Sequence, residues 1–222
     1  MAYVRTRVWQ VQLESAIKLL NIHRQQFDDA ANLARATDHP VPCDTRAWSQ
    51  ILVSTLTGVP GLARKKGADL SDGSDVKAAN VWEAIDTPRF NGVIKSGRKG
   101  DRGSLDSMSD MPHLYFVMWD YSSTPGSAPH CARCRVWVIR PTKDPVFRKM
   151  CERWYKQRDA GTIKSDNFQL HPPRNEDSNV FRNTCGNLAY PLLFSAVARE
   201  KGYNAETFAP DVLSTGICVE QK

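Results

Sequence analysis

Apolar residues return at Leu13, Ile17, Leu20, Phe27, Ala31 and Ala34, at intervals of three, four and seven with polar residues between them. That period predicts an amphipathic helix across the first third of the chain. Asp44 or Thr45 can cap a second helix through Trp48, Leu52 and Leu56, which stops at Gly58 ahead of Pro60. The period then shortens. Runs at Ala68–Ser71, Asp75–Trp82, His113–Asp120 and Cys134–Arg140 are separated by Gly- and Ser-rich turns and read as strands. HLYFVMWD and CRVWVIR are almost continuously aromatic or β-branched, as strands covered on both faces should be. Asp144-Pro145 starts a third helix with Phe147, Met150, Cys151 and Trp154 on its apolar side, and Gly161 ends it. A polar strand over Asn167–His171 and a last helix from Gly186 to Lys201, stopped by Gly202, complete the prediction.

The fold class expected is therefore α/β (α+β), with a mixed central sheet flanked by helices. Residues 1–222 read as a single domain, with a helical N-terminal part over 1–58 and the remaining core over 60–200. The longest apolar stretch, Leu188–Ala198, is interrupted by Pro191 and Ser195, so no membrane span is expected. The N-terminus has no apolar core of a signal peptide, and six cysteines are then expected as reduced thiols in a cytoplasm.

Charge adds a partner. The 30 Lys and Arg exceed the 24 Asp and Glu by a modest +6, but the excess is concentrated. Residues 131–158 hold nine basic side chains against Asp144 and Glu152, a local +7 beside a nearly neutral remainder. A second basic group comprises Arg89, Lys95, Arg98, Lys99 and Arg102. Such clustering suits a face that meets a polyanion, because neutralised phosphates release counterions.

The acidic residues carry the chemistry. In Gly67–Asn80, Asp72-Gly73 signals a tight turn that would set Asp69 and Asp75 on facing strands. Asp75 and Lys77 lie two apart and share a face. Two carboxylates and an ammonium would converge, as phosphodiester hydrolysis requires: Mg²⁺ takes carboxylate oxygens, and the lysine offsets charge at the reacting phosphate.

D-x5-D-x-K with flanking helices resembles the core of the PD-(D/E)XK nuclease superfamily. The short interval with Gly73 in the turn is similar to the nicking endonuclease of mismatch repair. The wider pattern of DLSDG-x-DVKAAN, LYFVMWD, CRVWVIRP, NFQLHPPR and CGNLAYPLL resembles type II restriction endonucleases that read interrupted palindromes. Ala68 stands where the superfamily's name has proline. The resemblance implies Mg²⁺ held by Asp69, Asp75 and the Val76 carbonyl, with Lys77 serving the attacking water. It also implies Glu14 or Gln50 as a candidate for the helical position that often adds a metal-side ligand. The activity implied is site-specific cleavage of double-stranded DNA by a homodimer in a bacterial cytoplasm, with a cognate DNA methyltransferase in the same system.

Two segments have the side chains to read base edges, where Arg pairs with guanine and Asn or Gln with adenine. One contains Arg89 and Asn91 and leads to Lys95 and Arg98; the other contains Gln169, His171, Arg174 and Asn175, with Asn179, Arg182 and Asn183 close behind. Cys131 and Cys134 have zinc-knuckle spacing but no second pair, so buried free thiols are expected rather than zinc. Two alternatives stay open at this level: an HNH (ββα-metal) endonuclease with a structural zinc, built on His171, Asn175 and Asn183, and a basic DNA-binding protein without cleavage.

Overall fold

The computed structural model describes residues 2–63, 67–81, 88–94, 105–122, 128–173 and 177–221. In chain order it has α1 (Ala2–Ala36), α2 (Arg46–Thr57), β1 (Asp75–Val81), β2 (Leu114–Ser122), β3 (His130–Ile139), α3 (Pro145–Asp159), β4 (Val180–Asn183), β5 (Gly186–Ala189), β6 (Leu192–Arg199), β7 (Gly202–Phe208), the one-turn α4 (Val212–Thr215) and β8 (Val219–Gln221).

A five-stranded sheet runs β1-β2-β3-β6-β7, with β1 parallel to β2 and every other neighbour antiparallel. Its strands alternate between two cores. Tyr115, Val117 and Trp119 of β2 and Val136 and Val138 of β3 face α1 and α2. Leu114, Phe116, Met118, Trp137 and Ile139 face α3 and a second sheet, β4-β5-β8. The mixed α/β architecture expected from the sequence is the one observed. No described helix is long and apolar enough to cross a membrane.

The helices form for the reasons their sequences supply. Ala16, Leu20, Phe27, Ala31 and Ala34 are the buried stripe of α1. Helix α2 ends at Gly58 in the left-handed conformation, φ 74°. Ser49 fixes it to the sheet, accepting from the Trp119 indole at 2.9 Å and donating to the Thr45 carbonyl at 2.7 Å. Asp144 caps α3, one oxygen accepting from the Val146 and Phe147 N–H groups and the other from the Cys218 N–H at 2.6 Å.

The predicted final helix over Gly186–Lys201 is instead the pair of strands β5 and β6. Pro191 separates them, and Leu193, Phe194 and Ala196 bury against the α1 side. Bulges at Val136/Trp137 and Ser195/Ala196 break the two-residue alternation that would have marked β6 as a strand. Gly202 opens β7 rather than stopping a helix; its φ of +130° and the Asn21 amide beside it leave no place for a Cβ. The predicted strands Ala68–Ser71 and Asn167–His171 contribute only isolated bridges, Gly61 to Leu70, Phe90 to Leu170 and His171 to Arg182.

Much of the basic segment over 131–158 serves the fold. Arg133 and Arg135 both reach the buried Asp120 carboxylate at 3.0 Å, Arg140 donates to the Gly216 and Ser214 carbonyls, and Arg153 donates to the Cys185 carbonyl. The lysines of the segment, Lys143, Lys149 and Lys156, are exposed.

Candidate active site

β1 is the edge strand of the five-stranded sheet, so among the described residues one side of its backbone has no strand paired to it. Asp75 N–H donates to the His113 carbonyl, toward β2. Successive residues alternate sides, and Val76 N–H accordingly points outward, to Asp69 Oδ2 at 2.9 Å. The N–H and C=O of a strand residue share a side, so the Val76 carbonyl faces Asp69's edge as well.

Asp69 is held by a tight turn, not by a hairpin ladder as the sequence suggested. Its N–H and that of Leu70 both donate to the Ser74 carbonyl at 3.1 Å, and Gly73 N–H donates to Leu70. Ser74 N–H bonds the Asp72 side chain. Gly73 has φ +94°, and a Cβ there would lie 3.1 Å from the Asp110 carbonyl, so both conformation and space require glycine. The outer edge of the turn bonds the segment after α2, Leu62 N–H to the Asp69 carbonyl and Ser71 N–H to the Pro60 carbonyl.

The carboxylates and the amine thereby meet. Lys77 Nζ lies 2.6 Å from Asp75 Oδ2, and Gln50 Nε2 on α2 donates to Asp69 Oδ1 at 2.6 Å. Burial and hydrogen bonding to Asp75 raise Asp69 to about 6, against the opposing pull of the Val76 N–H and Lys77. The three side chains line a cleft of about 830 Å³ shared with Arg46, Arg89, Asn91 and Asp110.

This donor set fits a hard divalent cation. Each Asp69 oxygen carries one donor and keeps a further lone pair, and a cation would offset the burial and the neighbouring Asp75 that raise the Asp69 carboxyl. Gln50 is the α2 residue at the site, whereas Glu14 is engaged by Gln10 on an exposed face of α1. The sequence reading missed Arg46 and Asp110, which only the packing of α2 and of the segment before β2 brings to the cleft.

Of the residues expected to read DNA, Arg89, Asn91, Gln169 and His171 come together. The Phe90–Leu170 bridge carries both backbone hydrogen bonds, 2.8 and 3.1 Å, with both side chains buried. Arg89 stands opposite His171 and Asn91 opposite Gln169 on the outward face of this two-stranded ribbon. Lys95, Arg98, Arg174 and Asn175 lie outside the described residues. Asn179 and Asn183 are occupied by the fold: Asn179 accepts from the Trp137 indole and Asn183 from the Cys185 N–H.

Cys131 and Cys134 are buried on β3, and the bulge between them turns both thiols into the α1-side core. Burial raises both far above the ordinary thiol range. Among the described residues no three His, Cys, Asp or Glu side chains are grouped to hold a metal.

Residues 32–203 match the profile of the MamI restriction endonuclease family. The curated relative "Type II restriction enzyme MamI" of Microbacterium ammoniaphilum is 33% identical over an alignment of 173 residues that covers 73% of this chain. The chain spans 55% of that relative's length. No solved structure matches it. The family match, which takes in α2, the acidic turn, the ribbon and strands β1, β2, β3 and β6 of the central sheet, establishes that this chain belongs to the MamI restriction endonuclease family.

Proposed function

We propose that this chain is a Mg²⁺-dependent type II restriction endonuclease of PD-(D/E)XK type that hydrolyses double-stranded DNA at a specific site. The observation that carries the reading is the convergence of Asp69, Asp75 and Lys77 in one cleft at an open sheet edge.

Asp69, Asp75 and the Val76 carbonyl would hold the ion, which supplies polarisation of the scissile phosphate and acidification of a bound water. Gln50 and the Val76 N–H keep the Asp69 carboxylate aimed into the cleft. The Lys77 ammonium, steadied by Asp75, holds the attacking water and offsets the charge that grows on the phosphate oxygens. Arg46 and Arg89, on the walls of the cleft, suit backbone phosphates, and the outward face of the ribbon suits base edges.

Restriction sites are commonly two-fold symmetric, so a homodimer with matched half-sites follows from the reading. So does a cognate methyltransferase that protects host DNA without touching this protein. The free, mostly buried cysteines suit a reducing cytoplasm. Incubating plasmid with purified protein and Mg²⁺, with and without EDTA, and sequencing the ends tests the activity. Discrete, EDTA-sensitive ends at one sequence are expected; intact plasmid, or cleavage indifferent to EDTA, contradicts it.

A further inference from the structure

The outward face of the ribbon carries three amides in one chain of hydrogen bonds. Gly92 N–H donates to Asn167 Oδ1 at 2.8 Å. Asn167 Nδ2 donates to Asn91 Oδ1 at 3.0 Å, and Gln169 Nε2 donates to the same oxygen at 3.0 Å.

The order of these bonds fixes every amide. A backbone N–H can only donate, so the atom of Asn167 facing Gly92 must be oxygen and its other atom nitrogen. The atom of Asn91 that meets that nitrogen must then be oxygen, and the atom of Gln169 that meets Asn91 must be nitrogen. The Gln169 backbone is held too, its carbonyl accepting from Asn183 Nδ2. Gln169 is left with Oε1 and one Nε2 hydrogen, neither with a partner among the described residues. It is half-buried and bonded to Asn91, which itself lines the cleft that contains Asp75 and Lys77.

An amide with one acceptor and one donor side by side complements adenine in the major groove, where N6–H donates and N7 accepts. Guanine offers two acceptors at the same places and would leave Oε1 facing an acceptor. We infer that Gln169 is the adenine-reading residue of this protein, prepositioned through Asn91 and Asn167 by the Gly92 N–H, so that one A·T pair in each half-site is read from the ribbon. This rests on the nuclease reading above and adds to it which base pair is read and by which atoms. Preorganisation matters because an untethered glutamine would lose rotamer freedom on binding.

Once the cleavage site is mapped, duplexes carrying 7-deazaadenine at each adenine in turn test the inference, since that base lacks only the N7 acceptor. The wild-type protein should cut roughly ten- to a hundred-fold more slowly with the analogue at one adenine per half-site. Gln169→Ala, and Gln169→Met as a variant that keeps the side-chain volume, should cut all four bases there at comparable rates and ignore the analogue at that position. Both should remain sensitive to changes at the other positions. No analogue-sensitive adenine in the wild type, or variants with an unchanged analogue profile, overturns the role of Gln169. A wild-type protein that cuts no DNA with Mg²⁺ overturns the nuclease reading and this inference together.

Discussion

Asp120 sits on β2 with 3% of its surface exposed, and its carboxylate is the shared partner of Arg133 and Arg135, both at 3.0 Å. Arg135 is equally buried and donates in addition to the Pro173 carbonyl at 2.8 Å, while Arg133 reaches Asp177 at 2.8 Å. The cluster thus ties the sheet to both flanks of residues 174–176. Burial raises the pKa of Asp120 in spite of the two guanidiniums and lowers that of Arg135, so desolvation is the larger effect on each partner.

Two consequences follow with different magnitudes. Asp120→Ala leaves a buried guanidinium without its carboxylate and should cost about 3–5 kcal/mol. With a urea slope of about 2–3 kcal/mol/M, the unfolding midpoint should fall by about 1–2.5 M at constant slope. Asp120→Leu combined with Arg135→Met removes both charges and should recover most of that loss, because the attraction and the desolvation penalty disappear together. Urea unfolding followed by tryptophan fluorescence, with Trp119 and Trp137 fully buried in the same sheet, reads both. A loss under about 1 kcal/mol for Asp120→Ala, or a double variant no better than the single one, would refute the reasoning.

Three further outcomes are expected. His23 is packed among Phe27, Trp48 and Trp119, and burial lowers it to about 4, whereas an unfolded histidine takes its proton near 6.5; stability should therefore fall as pH drops from 6.5 toward 4, by about 2 kcal/mol between pH 7.5 and 5, and His23→Phe should flatten that part of a urea-midpoint profile. Gln50→Ala removes the 2.6 Å donor to Asp69 and should slow cleavage about ten-fold with DNA affinity unchanged, measured by single-turnover cleavage beside gel shift, and an equal loss in both would contradict the positioning role. Gly202→Ala meets both a φ of +130° and the Asn21 oxygen at 2.8 Å, and should lower stability by about 1–3 kcal/mol by the same urea assay; pairing it with Asn21→Ala should recover little, since the backbone strain stays.

Helices α1, α2 and α3 and the two central strands were legible in the sequence because their signals are local. The α1 stripe, the Asp144-Pro145 cap and the run LYFVMWD each state their structure within a few residues. β6 was not legible. LLFSAVAR is helix-prone by composition, and its strand character comes from pairing with β3 and β7 across two bulges. At the site, D-x5-D-x-K was readable as a pattern, but not that Asp69 stands on a turn, nor that Gln50, 19 residues earlier, would donate to it. The charge count misled most. Arginines that looked like a DNA-facing surface are largely bonded to Asp120 and to backbone carbonyls, whereas the two short polar segments around Asn91 and Gln169 form one outward face through a single bridge between them.

The central claim is that Asp69, Asp75 and Lys77 cut DNA from one cleft, and the most direct measurement is single-turnover cleavage of the mapped site by Asp75→Ala and Lys77→Ala, with duplex binding measured in parallel. The account predicts wild-type binding with cleavage reduced by about three orders of magnitude or more in each variant. Cleavage at the wild-type rate by either protein would contradict it.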